Sequence, residues 1–313
     1  MANRKPFPFR FGVQSRSTGP TREAWIETVR RAEALGYDTL MWPDHFVRGF
    51  EPVAAMAAAV MVTERLKVCG FVFDNDFRHP VVLAMSIGSI DILSNGRVEV
   101  GIGAGWLKDE YDLSGIPFDP VGVRIARLQE AIPILKSLLS GERTSFQGEF
   151  YQVDGLQIPP VPVQKPYPPL IIGGGSPRIL RLAAREADIV GITTRALPDG
   201  SKDAADGTAA ATEQKIDWVR EAAGDRFDQI ELNTIIPTVE ITEDRRAVAE
   251  RLAADLPISA EEVLDSPVVL IGTVDQIVET LQERRERYAF SYIVILEPVM
   301  EAFAPVVERL AGR

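Results

Sequence analysis

Short, near-continuous apolar runs alternate along this chain with longer segments whose apolar residues recur every three or four positions. The runs are 9–14 (FRFGVQ), 37–42 (YDTLMW), 66–73 (LKVCGFVF), a glycine-punctuated run that opens 97–111 (RVEVGIGAGWLKDEY), 170–172 (LII), 188–192, 230–236 and 291–296. The first helical spacing sets Trp25, Ile26, Val29, Ala32 and Leu35 on one face, opened by Thr21 or Pro20 and ended by Gly36. Further helices are predicted over 52–62, from His79-Pro80 through 93, over 121–139, through 185 after Pro177, and over 213–223, 273–288 and 298–310. Surface helices are predicted at 243–252 and 260–264. Strand, short loop and helix in repetition predict a parallel sheet built from βαβ units. Such strands are covered on both faces, which is why they read as unbroken apolar runs rather than alternating ones. Eight strands, at least eight helices and no break in composition predict an α/β fold, one (β/α)8 TIM barrel over 1–313. Two segments fall outside the repeat. The alternating stretch 143–160, with Gly148 and Gly155, predicts an excursion hairpin; 195–212, rich in Asp, Gly, Ala and Ser, predicts a mobile insertion on the working side of the barrel.

Composition narrows the partners more than the fold. An apolar content of 46% and a charged content of 25% are those of an ordinary globular protein. The length of 313 residues is usual for an α/β barrel. A net charge of −11 argues against nucleic-acid and anionic-membrane partners, either of which needs a basic face. The one cysteine, Cys69, sits inside an apolar run and reads as a small core residue. With no disulfide framework available within a chain, a reducing cytosol is the expected compartment. The opening MANRKPFPFRFGV carries positive charge but no apolar core segment, so no secretory signal is expected. No apolar run reaches the length of about 18 residues that a membrane span needs.

In a barrel of this kind the working face lies at the C-terminal ends of the strands. Just after the second strand come Asp44 and His45; after the third, Asp74, Asn75 and Asp76; after the fourth, Gly103, Gly105 and Trp106; after the fifth, Gly173, Gly174, Gly175 and Ser176. Glycines inside a strand mark either tight packing or a group lying against the backbone, and Gly101, Gly103 and Gly105 leave both readings open. The run 173–176 feeds a helix whose first turn holds Pro177, so free N–H groups and the positive helix end suit a phosphate, with the Ser176 hydroxyl and Arg178 adding to it. His45 is one of only two histidines, and in this position it either moves a proton or holds a loop. His79, before a proline at a helix start, reads as a cap or loop-orienting residue. Two distant histidines and one buried cysteine make no zinc set, so no metal site is expected. There is no G-x-S-x-G elbow or Walker loop, and 101–105 lacks the third glycine of a dinucleotide fingerprint.

Taken together, LSNGRVEVGIGAGW with a following Glu, WPDHF, NDFRHP, GERTSFQGEFYQV, PPLIIGGGS and ADIVGI resemble the signatures of the bacterial-luciferase-like flavin and deazaflavin oxidoreductases, most closely the coenzyme F420-dependent branch. The resemblance covers essentially the whole chain. It implies an insertion-bearing (β/α)8 barrel, a homodimer, and a tricyclic cofactor lying across the strand ends. By position, Gly173, Gly174, Gly175 and Ser176 would hold the cofactor phosphate. Phe71 and Val72 would form a backbone bulge behind the ring, a place where the family often has a non-proline cis peptide. Asp44 would lie near the ring edge, and His45 would reach toward the site of hydride transfer. Asp74, Gly103, Gly105, Trp106 and Arg178 complete the expected cofactor-binding set.

One departure matters. In the sugar-phosphate dehydrogenase branch an acidic residue follows the GxG of strand four; here that position is Trp106, and the lysines that bind a sugar phosphate have no counterparts. The expectation is therefore a cytosolic F420-dependent enzyme, catalysed through His45 and Asp44, acting on a small apolar or aromatic substrate rather than glucose 6-phosphate. The alternatives are an FMN-dependent two-component monooxygenase served by a flavin or F420 reductase as partner, and a non-catalytic flavin-binding relative.

Overall fold

A computed structural model describes residues 6–16, 21–47, 49–197, 201–254 and 258–313. The readings that concern residues 1–5, Pro20, residue 48 and 198–200 lie outside the described residues. The eight apolar runs form strands β1 (Arg10–Gln14), β2 (Thr39–Trp42), β3 (Lys67–Asp74), β4 (Val98–Gly103), β5 (Leu170–Gly174), β6 (Ile189–Ile192), β7 (Glu231–Ile236) and β8 (Phe290–Leu296). They pair in the order β1–β8–β7–β6–β5–β4–β3–β2, which closes on itself as a parallel barrel. The helices are α1 (Arg22–Ala34), α2 (Pro52–Val60), α3 (Pro80–Ser94), α4 (Lys108–Ser114), α5 (Val121–Ser140), α6 (Pro177–Glu186), α7 (Ala209–Ala223), α8 (Arg245–Ala253), α9 (Ala260–Asp265), α10 (Val274–Tyr288) and α11 (Met300–Leu310). Among the described residues no helix is long and apolar enough to cross a membrane. Cys69 is fully buried in β3, as a small core residue should be.

The chain divides into two compact units: Ser15–Arg30 with Thr39–Ile172, and Met1–Gln14 with Arg31–Asp38 and Gly173–Arg313. In the former, Thr21 opens α1, its hydroxyl accepting the Ala24 N–H at 3.2 Å. His79 caps α3 by accepting the Val81 N–H at 3.2 Å, and Asn95 closes that helix in the left-handed region at φ 55°. The hairpin is present as two antiparallel strands, Thr144–Gln147 and Gln152–Leu156. Its turn is pinned by Glu130 on α5, whose carboxylate accepts the N–H groups of Glu149, Phe150 and Tyr151 at 2.8–3.1 Å.

The other unit holds the main departures from the sequence reading. Two short strands, Thr238–Ile241 and Val269–Gly272, pair in parallel outside the barrel, where no strands were predicted. They hold a satellite core in which Val248, Ala249, Val263 and Ile271 are buried, so α8 and α9 are more than surface decoration. The described part of the insertion 195–212 makes several polar contacts. Asp206 accepts the Arg195 N–H and pairs with the buried ammonium of Lys215, both at 2.6 Å, and Arg195 pairs with Asp203 at 2.6 Å. The helix predicted from 213 starts at Ala209, because the Thr208 hydroxyl accepts the Ala211 N–H and caps it there.

Candidate active site

The C-terminal end of β3 is bulged. Gly70 pairs with Val100 and Phe73 with Ile102, so Phe71 and Val72 together oppose the single residue Gly101. The Phe71–Val72 peptide is cis. A Cβ on Gly101 would stand 2.3 Å from the Gly70 carbonyl oxygen and 3.0 Å from Val72 Cγ1; one on Gly103 would stand 2.8 Å from Val72 Cγ2. Of the two readings left open for these glycines, packing against the bulge accounts for both. Phe71 and Val72 themselves are half-buried residues at this strand end.

Helix α4 fastens the ends of β2 and β3 with two consecutive side chains. Glu110 Oε2 lies 2.7 Å from His45 Nδ1, and Tyr111 Oη donates to Asp74 Oδ2 at 2.7 Å. Glu110 is buried, and its second oxygen, Oε1, has no hydrogen-bond partner among the described residues. The Trp106 ring stands edge-on to His45, with centroids 5.9 Å apart and planes at 86°. Gly105 makes this arrangement fit: its φ is +72°, and a Cβ there would fall 1.9 Å from Tyr111 Oη and 2.5 Å from Asp74 Oδ2. The Arg124 guanidinium holds the turn from outside by donating to the carbonyls of Ala104 and Gly105 at 3.0 and 2.5 Å.

Asp44 and His45, adjacent in sequence, are used differently. Asp44 is buried; it accepts the Asp74 N–H at 2.9 Å and pairs through both oxygens with Arg78, which also reaches Glu51 at 3.0 Å. It holds the loop after β3. His45 is half-buried and, among the described residues, leaves Nε2 without a protein partner. Beyond it in the chain come the exposed side chains of Phe46, Val47 and Phe50, with the Phe46 ring tilted at 31° against Phe77, centroids 4.4 Å apart. A cleft of about 400 Å³ opens in the same unit, lined by Asn75, His79, Ile116, Arg127 and Tyr151 among others. Neither His45 nor Trp106 lines it.

The Asp74 carboxyl carries a marked shift. Burial pushes it from the ordinary 3.8 up to about 7, against the lowering effect of hydrogen bonds from the Asp76 N–H and Tyr111 Oη. The folded chain therefore binds more protons than the unfolded chain between about pH 4 and pH 7, and Asp74 makes stability fall as pH rises through that window. Asp74→Asn, which copies the neutral carboxyl, is expected to raise the melting temperature relative to wild type more at about pH 8 than at about pH 5. An equal difference at the two values would contradict the assignment.

In the other unit, 173–176 lead from β5 into α6. A Cβ on Gly174 would strike Ile179 Cγ2 at 2.2 Å, and one on Gly175 the Arg195 amide nitrogen at 2.5 Å, so packing fixes both glycines. Gly173 is looser, its nearest neighbour being the Gly191 carbonyl oxygen at 3.5 Å. Ser176 is the N-cap of α6 yet makes no side-chain cap bond, Pro177 fills the first turn, and Arg178 is exposed. The first-turn N–H groups thus have no side chain on them, which is the condition for anion binding at a helix start.

Sequence reasoning did not name Glu110, Tyr111, Arg78 or Arg124. Glu110 had a signal as the acidic residue after Trp106 in the strand-four motif, Tyr111 closes that same stretch, and Arg78 lies inside NDFRHP; Arg124 had none.

The luciferase-like monooxygenase family matches this chain over residues 7–263. The chain belongs to that family. Among its relatives is an F420-dependent glucose-6-phosphate dehydrogenase of Amycolatopsis mediterranei, 33% identical over 171 residues, which are 52% of this chain and 51% of that enzyme. Another is the FMNH(2)-dependent dimethylsulfone monooxygenase of Pseudomonas putida, 28% identical over 201 residues, 59% of this chain and 55% of that one. The chain thus spans about half the length of the curated relatives it matches. The luciferase-like fold is also that of the coenzyme F420 dependent tetrahydromethanopterin reductase from Methanopyrus kandleri, with a TM-score of 0.77 over 97% of this chain and 98% of that one at 17% identity.

Proposed function

We propose that the protein is an F420-dependent oxidoreductase that moves a hydride between the reduced deazaflavin and a small apolar or aromatic acceptor. The observation that carries this reading is His45: a half-buried imidazole just after β2, held through Nδ1 by Glu110, set against Trp106 and without a partner at Nε2 among the described residues. The residues present fit the cofactor's parts. In one unit the backbone of Phe71 and Val72 offers a floor for a flat ring; in the other the uncapped start of α6, with Ser176 and Arg178, suits a phosphate. When bound, the reduced deazaflavin supplies the hydride. His45 Nε2–H gives the proton to the acceptor oxygen as negative charge builds on it, the ordinary task of a general acid. Trp106 and the exposed Phe46 and Phe50 supply apolar walls, which favour an apolar or aromatic acceptor over a sugar phosphate.

The similarity to an FMNH(2)-dependent relative favours one second reading, a two-component FMN monooxygenase. The two are separated by oxygen. Hydride transfer is expected to run under strict anaerobiosis with reduced F420 and a panel of small carbonyl acceptors. Turnover that needs both dioxygen and reduced FMN, with none under nitrogen, would overturn the proposal in favour of the monooxygenase.

A further inference from the structure

We infer that Glu110 is a positioning residue that fixes the tautomer of His45, making Nε2 the nitrogen that exchanges protons. The inference rests on the reading of His45 as general acid, but its decisive measurement needs no cofactor. A carboxylate only accepts hydrogen bonds, so at 2.7 Å from Nδ1 it requires the imidazole proton to sit on Nδ1. Neutral His45 then has a bare Nε2, and only imidazolium carries a proton there to give away. Two further observations favour this arrangement. Glu110 is buried with Oε1 unpartnered, so among the described residues His45 is the one hydrogen-bond partner its carboxylate has. The edge-on contact with Trp106 restrains the plane of the imidazole from another side. Such a restraint matters because a histidine with its proton on the wrong nitrogen presents the wrong group to the reacting atom.

The test is nitrogen NMR of the cofactor-free protein labelled in its histidine rings, at a pH where the imidazole is neutral. His79, which accepts at Nδ1 from the Val81 N–H and so carries its proton on Nε2, serves as an internal reference of the opposite tautomer. Wild-type His45 is expected to show a protonated Nδ1 and a bare Nε2. In Glu110→Leu, which offers no acceptor to Nδ1–H, the proton is expected on Nε2, the tautomer a free imidazole prefers, matching His79. Turnover of that variant is expected to fall about 10- to 100-fold in kcat with KM and cofactor affinity unchanged. A wild-type spectrum with the proton on Nε2 would overturn the inference without any variant, since Glu110 would then be the donor. A variant that melts as wild type does and keeps the wild-type tautomer would overturn it as well. A tautomer switch in a protein with no deazaflavin- or flavin-dependent turnover supports the positioning and sinks the functional reading, so the two failures are distinct.

Discussion

The His45→Ala protein is expected to turn over about 10²–10⁴-fold more slowly than wild type, the span that one positioned proton donor contributes. Its cofactor affinity is expected to stay at the wild-type value, because the groups proposed to hold the cofactor, the backbone of 71–72 and the start of α6, do not include the imidazole. Removing the imidazole also strips Glu110 of its hydrogen-bond partner, and an unpaired buried carboxylate is costly. The fair comparison is therefore with His45→Gln, which keeps an amide N–H for Glu110 but cannot donate a proton. Both variants should lose the step, and the Gln variant should melt closer to wild type. Full turnover by either, with normal cofactor binding, would remove His45 from the chemistry.

The largest effect on stability is expected at Gly105. Alanine there must adopt φ near +72° and place its Cβ 1.9 Å from Tyr111 Oη and 2.5 Å from Asp74 Oδ2. The left-handed backbone and the overpacking add to about 2–5 kcal/mol. The damage does not stop at stability, since Tyr111 and Glu110 are neighbours on α4 and moving one displaces the other from His45. Gly115 is the control. Its φ is +74°, but a Cβ there meets nothing within 4 Å, so Gly115→Ala should cost only the backbone term of about 1–2 kcal/mol. Thermal melts and turnover of the two variants side by side check this. Equal destabilisation would mean that the clash with Tyr111 and Asp74 is relieved by small movements.

The barrel was legible because buried parallel strands leave an unambiguous mark: apolar on both faces, bounded by turn residues, at regular distances. What escaped was short or peripheral. Every residue of Thr238–Ile241 is only half-buried, so that strand has no apolar run to show, and its partner Val269–Gly272 lies far along the chain. The start of α7 was missed because Thr208, its cap, lies inside a stretch whose Asp, Gly and Ala read as loop.

The site was legible as positions and not as partnerships. Asp44, His45 and Asp74, singled out by their place at strand ends, lie in one unit, but nothing in the order of residues says which carboxylate a half-buried histidine will meet. Asp44, next to His45 in sequence, is committed to Arg78 and the Asp74 N–H; Glu110, sixty-five positions away, is the one that reaches the imidazole. The glycines of strand four invited a ligand, and the bulge of β3 explains Gly101 and Gly103 without one. Trp106 keeps its interest because it stands against His45 in three dimensions.

The central claim is the cofactor, and equilibrium titration of the purified protein with F420 and with FMN, side by side, tests it most directly. F420 is expected to bind saturably at micromolar concentration, with no comparable binding of FMN. Micromolar binding of FMN with none of F420 would contradict that claim.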